Sequence, residues 1–266
     1  MINLKEYIIE GIFDTDEDTI DKSIKDQIKQ FLKDNFSGAS LCKISDKPNK
    51  DGKYEVSSIG YIIVKNYKIT SLTNGLFIWT TVDKDFRCTY CDLLTSLEGA
   101  PKNVGGTFDC SYCDSLTSLK GSPEKVGGKF NCNSCELLTS LEGSPKEVGS
   151  DFNCNGCESL TSLKGAPEKV GGGFSCNGCA SLISLEGAPK NVGGDFSFNN
   201  CALLKSLEGS PKEVGGNFDC EHCDSLKSLK GAPKEVRKNF SCGNCLIAFI
   251  ADDVKKVSNV KGKIFV

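Results

Sequence analysis

The chain has 266 residues and a net charge of −3 at neutral pH, a balance that argues against the broad basic surface of a nucleic-acid-binding protein. No run approaches about 18 apolar residues, so neither a membrane-spanning helix nor a membrane partner is expected. Lys5, Glu6 and Glu10 interrupt the apolar stretch that a secretory signal would need. These features together predict a cytoplasmic protein.

The N-terminal segment begins MINLKEYIIEG and predicts a short amphipathic helix. Ile8, Ile9 and Glu10 followed by Gly11 form an apolar-x-Glu site before a small residue. In this the segment resembles the capsid-targeting leader of internal head proteins of large contractile-tailed phages. The resemblance implies a leader over residues 1–13, cleavage between Glu10 and Gly11 by a prohead protease, a phage origin and a place in the virion head interior. An ordinary amphipathic first helix is the alternative.

Residues 14–85 predict a small α+β N-terminal cap. Apolar side chains recur every four positions along a helix that Ser37 and Gly38 end. These apolar residues are Ile20, Ile24, Ile28, Leu32 and Phe36. Residues 54–67 have the composition of strands, and Trp79 is expected to pack against the element that follows.

That element is a 22-residue repeat, which occurs seven times in full and once in part over residues 86–245. Its consensus is Phe-x-Cys-x-x-Cys-x-x-Leu-x-Ser-Leu-[Glu/Lys]-Gly-[Ala/Ser]-Pro-x-x-Val-Gly-Gly-x. The repeats begin at Phe86, Phe108, Phe130, Phe152, Phe174, Phe196, Phe218 and Phe240. A fixed period of this length predicts a solenoid.

Within one repeat, residues 108–110 alternate apolar and polar side chains, which predicts a short half-buried strand. Gly121 and Pro123 stop regular structure, and Val126 returns inward before a Gly-Gly turn. One repeat cannot bury its apolar residues by itself, whereas stacked repeats can. The prediction is a stack of parallel strands on one face, with irregular backbone on the convex face.

The segment from Gly105 to Leu116 resembles the Leu-x-x-Leu-x-Leu-x-x-(Asn/Cys)-x-x-Leu motif of leucine-rich repeats, with Cys113 at the Asn/Cys position. The short proline-containing return is similar to the bacterial short-repeat type. Phe, Cys and Gly stand where the family usually has Leu. This departure affects the expected cross-section of one repeat more than the expectation that the repeats stack into a solenoid. The resemblance implies a leucine-rich-repeat-like solenoid over residues 86–245 that binds protein.

Charged residues of opposite sign alternate on the predicted convex face. Glu98 is followed four positions later by Lys102, and Lys120 by Glu124, and the spacing recurs in later repeats. We expect these residues to form solvated ion pairs within each repeat, each worth about 0.2–1 kcal/mol at most.

Residues 246–266 predict a C-terminal cap, because a solenoid needs closed ends. The segment is rich in apolar residues. These are Ile247, Phe249, Ile250, Val254, Val257, Val260, Ile264 and Phe265. We expect them to cover the last repeat.

Cysteine is frequent, and 15 of the 16 cysteines lie in the repeats. The first column comprises Cys88, Cys110, Cys132, Cys154, Cys176, Cys220 and Cys242, and the second Cys91, Cys113, Cys135, Cys157, Cys179, Cys201, Cys223 and Cys245. Without an export signal, free thiols packed as small apolar side chains are favoured. A zinc-binding Cys-x-x-Cys array and disulfides between repeats are the alternatives. Phe198 replaces the sixth repeat's first cysteine, which suits a core position and not a metal ligand, so no metal or cofactor is predicted.

No catalytic constellation emerges from the sequence. His222 is the single histidine, and it lies at a variable position of the seventh repeat. The Cys-x-x-Cys pairs lack the β-α-β context of a thioredoxin-like redox site. The chain is therefore predicted not to be an enzyme.

The outward strand positions vary while the inward ones stay constant, which predicts a polar, weakly acidic face for a protein partner. The candidate contact residues are Arg87, Thr89, Tyr90, Asp109, Ser111, Tyr112, Asn131, Asn153, Asp219, Glu221 and His222. Arg87, Tyr90 and Tyr112 are of the types enriched at interface hot spots. The predicted function is binding of a host or phage protein. A structural virion component, a zinc-binding array and a merely solvated strand face are the alternatives.

Overall fold

The computed structural model describes residues 17–266, so the candidate leader and its Glu10–Gly11 site lie outside the described residues. Helix α1 (Glu17–Asn35) is the first element of the described part of the chain. Its stripe of apolar residues buries Ile28 and Leu32 and places Ile24 at the edge of the core. The predicted N-terminal helix is confirmed, except that Phe36, expected on its apolar stripe, lies in the strand that follows.

Five strands follow the helix and start two sheets. They are β1 (Phe36–Ser37), β2 (Cys42–Ile44), β3 (Tyr54–Ser58), β4 (Ile62–Val64) and β5 (Phe77–Val82). β1 pairs with β4 and β2 with β3 in antiparallel fashion, and β5 then joins β3 in parallel. Each sheet continues from there through the repeats by parallel pairing alone.

Each full repeat contributes one two-residue strand to each sheet. The phenylalanine sheet contains β6 (Phe86–Arg87), β8 (Phe108–Asp109), β10 (Phe130–Asn131), β12 (Phe152–Asn153), β14 (Phe174–Ser175), β16 (Phe196–Ser197), β18 (Phe218–Asp219) and β20 (Phe240–Ser241). The valine sheet contains β7 (Asn103–Val104), β9 (Lys125–Val126), β11 (Glu147–Val148), β13 (Lys169–Val170), β15 (Asn191–Val192), β17 (Glu213–Val214) and β19 (Glu235–Val236). Between successive repeats, paired strands lie in register 22 positions apart, as Phe108 does with Phe130. The last strand of each sheet within the repeats, β19 and β20, pairs 24 positions on.

The predicted solenoid of stacked parallel strands is confirmed, and the structure revises its cross-section. The return path, expected to be irregular, carries the valine sheet. Its Gly-Gly corners allow close stacking, because the backbone N–H of Gly127 donates to the Val104 carbonyl at 2.9 Å. A Cβ atom at Gly127 would collide with the carbonyl oxygen of Gly105.

The core runs continuously between the two sheets. The Phe108 and Phe130 rings stack with centroids 5.3 Å apart, and Phe130 stacks on Phe152 at 5.1 Å. Phe198 fills the place of the missing cysteine and packs edge-on against Phe218. The repeat cysteines are free thiols, all buried except the half-buried Cys245.

Trp79 joins the N-terminal cap to the repeats. Its ring meets Phe36 and Phe86 at centroid distances of 5.5 and 5.9 Å, and its indole N–H donates to the Leu72 carbonyl at 3.1 Å. The predicted packing of this tryptophan against the first repeat is confirmed.

The C-terminal segment forms helix α2 (Ala251–Val257) and strands β21 (Asn259–Val260) and β22 (Ile264–Phe265). The two strands extend the valine and phenylalanine sheets respectively. Phe249 and Val254 are buried, whereas Ile247, Ile250 and Phe265 stay exposed, so the expected apolar closure forms only in part.

The ion pairs of the repeats differ from the expected pairing. Lys120 lies 2.9 Å from Glu98 and Lys164 lies 3.3 Å from Glu186, so the partners belong to neighbouring repeats. Stacked equivalents are about 4.8 Å apart, whereas the turn at Gly99, with a φ of 90°, separates Glu98 from Lys102 within one repeat. Among residues 17–266, no helix is long and apolar enough to cross a membrane.

Candidate functional site

After each phenylalanine strand the chain turns sharply between the two cysteine columns. Tyr90 and Tyr112 take this turn in the left-handed region, with φ of 57° and 59°. The equivalent residues in later repeats are Ser134, Gly156, Gly178, Asn200, His222 and Asn244, all with positive φ. The backbone N–H of Tyr112 donates to the Asn133 carbonyl at 2.8 Å, which holds the turn in place and leaves the ring facing outward.

The two tyrosine rings form the most prominent outward feature of this face. Their centroids are 4.7 Å apart and their planes differ by 3°. Tyr90 is 55% exposed and Tyr112 is 44% exposed. The pair therefore presents a rigid aromatic surface, which we call the aromatic pair.

Arg87 stands three positions before Tyr90 and is bound to a carboxylate of its own chain. Its guanidinium donates to the Asp85 carboxylate at 2.8 Å. Partial burial acts to raise the pKa of Asp85, but hydrogen bonds from the Thr107 N–H and Arg87, together with the charge of Arg87, bring it below its usual value. Arg87 is half exposed and retains one carboxylate partner, so it offers a partner less charge than the sequence suggested.

The predicted contact residues of the second repeat are partly withdrawn from the surface. Ser111 is only 4% exposed, and its hydroxyl donates to the Asp109 carboxylate at 2.7 Å. Asp109 is half-buried, as is Thr89 of the first repeat. The structure thus removes the Ser111 side chain from the candidate contact surface, because the turn folds it inward.

Asparagines in the middle repeats form hydrogen bonds between repeats. The Asn153 amide donates to Asn131 at 2.9 Å. The neighbouring Asn155 side chain accepts the backbone N–H of Asn177 at 2.8 Å and the Ser175 hydroxyl at 2.6 Å. Asn131 and Asn153 are half-buried, so their side chains hydrogen-bond between repeats and are also partly accessible on the surface.

The remaining predicted residues lie in the seventh repeat. Asp219 and Glu221 are half-buried and His222 is exposed. Burial raises the pKa of Asp219, and Asp195 and Glu221 act in the same direction against a hydrogen bond with Ser241. Five repeat intervals, about 24 Å, separate this group from the second repeat. The structure therefore does not join the two groups into one site.

Two further columns of equivalent residues were not predicted from the sequence. The first is the asparagine column Asn133, Asn155, Asn177 and Asn199, whose side chains accept backbone N–H groups of the next repeat. The second is the exposed acidic column Asp92, Asp114, Glu136 and Glu158. The signal for both columns is one kind of side chain, an asparagine amide or a carboxylate, at the same offset in four successive repeats.

Hydrogen bonds join the thiol columns to the backbone of neighbouring repeats. The Cys113 Sγ donates to the Cys88 carbonyl at 3.0 Å. Burial raises the pKa of the Cys88 and Cys110 thiols above the usual 9.0, so they stay protonated at neutral pH. Within residues 17–266, no group of three or more His, Cys, Asp or Glu side chains is arranged to hold a metal ion.

These features define a β-solenoid repeat protein with a polar strand face and an aromatic pair near its N-terminal end. In comparisons with protein-family models, curated proteins and solved structures, nothing matches this chain. The function is accordingly argued from the site itself.

Proposed function

We propose that this protein is a non-enzymatic binding protein that holds a protein partner on the outward face of its phenylalanine sheet. The main observation behind this proposal is the aromatic pair. The ring centroids of Tyr90 and Tyr112 are 4.7 Å apart, and both side chains remain about half exposed. Large, rigid aromatic side chains are the residues most enriched at interface hot spots. The pair is the centre of the proposed contact.

The backbone of the aromatic pair supports a role other than folding. A bulky residue in the left-handed region costs of order 1 kcal/mol or more relative to glycine. Gly156 and Gly178 take the same position in the fourth and fifth repeats, so the solenoid itself does not require tyrosine there. A binding role accounts for the two rings at this strained position.

The phage origin remains part of the proposal through the leader resemblance. In that setting the partner is a host or phage protein, and the protein acts in the host cytoplasm after delivery from the head. The competing proposal is that the protein is a structural component of the phage head. In that case purified particles would contain it at a high, fixed copy number, and no partner would be captured.

The binding function is tested by capture of the partner protein from the cells in which this protein occurs. The variant Tyr90→Asn/Tyr112→Asn removes both rings and keeps a residue that tolerates the left-handed backbone. The matched control Tyr61→Asn/Tyr67→Asn removes two equally exposed tyrosines from the N-terminal cap.

We expect one protein to co-purify in fixed ratio with the wild type and the control, and its recovery to fall about tenfold or more with the aromatic-pair variant. Circular dichroism should show all three proteins equally folded. Full capture by the Tyr90→Asn/Tyr112→Asn protein would contradict the proposed site.

A further inference from the structure

Two positions after each tyrosine of the aromatic pair, the chain carries an exposed carboxylate. Asp92 follows Tyr90, Asp114 follows Tyr112, and a buried cysteine stands between the members of each couple. Glu136 and Glu158 continue the acidic column in the third and fourth repeats. Because the repeats pair in register, the backbone positions that carry these carboxylates follow one another at intervals of about 4.8 Å.

The acidic column differs from the charged column that contains Glu98 and Lys120. Along the column that contains Glu98 and Lys120 the sign alternates over five repeats, and stacked neighbours form ion pairs such as the one at 2.9 Å. The acidic column has no basic member in its seven repeat positions. Within residues 17–266, the ion pairs join other carboxylates.

Four like charges stacked this closely repel one another. The stability of the stack therefore does not explain the acidic column, whereas it does explain the alternating signs from Glu98 to Glu186. Positive charge supplied from outside the chain would relieve this repulsion.

Each ring of the aromatic pair stands two positions before an acid of this column. One face of the Tyr112 ring covers Tyr90, and the next residue in the column is Ser134, which carries no ring. The face of Tyr112 turned towards the third repeat thus has no aromatic neighbour among the described rings. A guanidinium group placed over a tyrosine face is attracted by its π electrons, and more strongly when carboxylates stand nearby.

Resting on the proposed function, we propose that the aromatic pair and the acidic column together bind an extended, arginine-rich segment of the protein partner. The column from Asp92 to Glu158 spans three repeat intervals, about 14 Å, which four or five extended residues cover. Leu93 and Leu137 are exposed directly after two of the acids. They offer apolar contact to the aliphatic stems of arginine side chains.

Fluorescence anisotropy with defined peptides tests this assignment. The probe is a fluorescein-labelled peptide of alternating glycine and arginine, about ten residues long, and the reference replaces every arginine with glutamate. One variant is Tyr90→Asn/Tyr112→Asn. A second, Asp92→Asn/Asp114→Asn/Glu136→Gln/Glu158→Gln, neutralises the acidic column.

The matched control is Glu98→Gln/Glu142→Gln/Glu186→Gln/Glu208→Gln, which changes the net charge by the same amount in another column. We expect the wild type and this control to bind the arginine peptide with dissociation constants that agree within about twofold. Each of the other two variants should weaken binding about tenfold or more. About 1 M salt should abolish binding, and the glutamate peptide should not bind.

Equal weakening by the two quadruple variants would reduce the effect to net charge and overturn the inference, as would unchanged binding by the Tyr90→Asn/Tyr112→Asn protein. Failure of the wild type to bind the arginine peptide would also overturn it. If cellular capture still required the aromatic pair and resisted high salt, the occupant would be a neutral or acidic segment, and the binding function would stand without this inference.

Discussion

The Sγ atom of Cys135 donates a hydrogen bond to the backbone carbonyl of Cys110, 3.3 Å away and 25 positions earlier in the chain. The same bond recurs along the second cysteine column, for example from Cys157 to Cys132 at 3.1 Å. Each of these thiols therefore ties its repeat to the preceding one inside the core. The column that the sequence predicted as apolar packing also supplies hydrogen-bond donors.

Cys135→Ala is expected to lower the free energy of unfolding by about 1–3 kcal/mol, because it leaves a small void and a buried carbonyl without its donor. Cys135→Ser keeps a donor and should lose less. Urea unfolding of the reduced proteins measures both. Equal losses for Ala and Ser would show that the hydrogen bond contributes nothing.

Alkaline pH should destabilise the protein through its buried thiols. Burial raises the pKa of Cys88, Cys110 and Cys220 above the usual 9.0, so the folded state holds protons that the unfolded state releases. This stabilisation is complete below pH 9 and is lost as the pH rises above it. Urea midpoints should fall steadily above about pH 9, and these thiols should resist alkylation at about pH 8 until urea is added. Rapid labelling of the native protein would contradict the burial argument.

Gly149→Ala should destabilise the solenoid by about 1–3 kcal/mol, since the new Cβ would strike the carbonyl oxygen of Gly127 in the preceding repeat. Gly243→Ala is the control, because its Cβ would meet its nearest neighbour at an ordinary 3.4 Å. Thermal unfolding compares the two. A loss at Gly243 as large as that at Gly149 would argue against close stacking at the glycine corners.

Asn177 is expected to stabilise the stack rather than to contact a partner. Its side-chain oxygen accepts the Asn199 N–H at 2.7 Å and the Ser197 hydroxyl at 2.6 Å. Asn177→Leu should cost about 1–3 kcal/mol, whereas Asn177→Asp keeps the acceptor and should cost less. Partner capture should survive both changes. Loss of capture by the folded Asn177→Asp protein would instead extend the binding site into the middle repeats.

The leader resemblance predicts a defined N-terminus. In purified particles of the source, we expect mass spectrometry to find the protein starting at Gly11, after removal of the segment that ends at Glu10. An intact Met1, or absence of the protein from the particles, would contradict a processed head protein and leave the binding function to be tested in cells.

The sequence by itself determined the solenoid, because its 22-residue period repeats the same inward positions too regularly for any unstacked arrangement to bury them. Phe108, Cys110 and Leu116 are all fully buried, as their pattern predicted. The valine sheet was harder to foresee, because strands of two residues carry almost no periodicity and form only when neighbouring repeats pair.

Only the tertiary structure decided which outward residues remain available to a partner. Tyr90 and Tyr112 stay exposed, whereas Ser111 is buried and Arg87 is paired with Asp85. These differences depend on the left-handed turn at the tyrosines and on hydrogen bonds to groups 22 positions away. A pattern of apolar and polar residues specifies which side chains turn inward, but the partners of the outward ones are set by register and turn geometry, which exist only once the repeats have stacked.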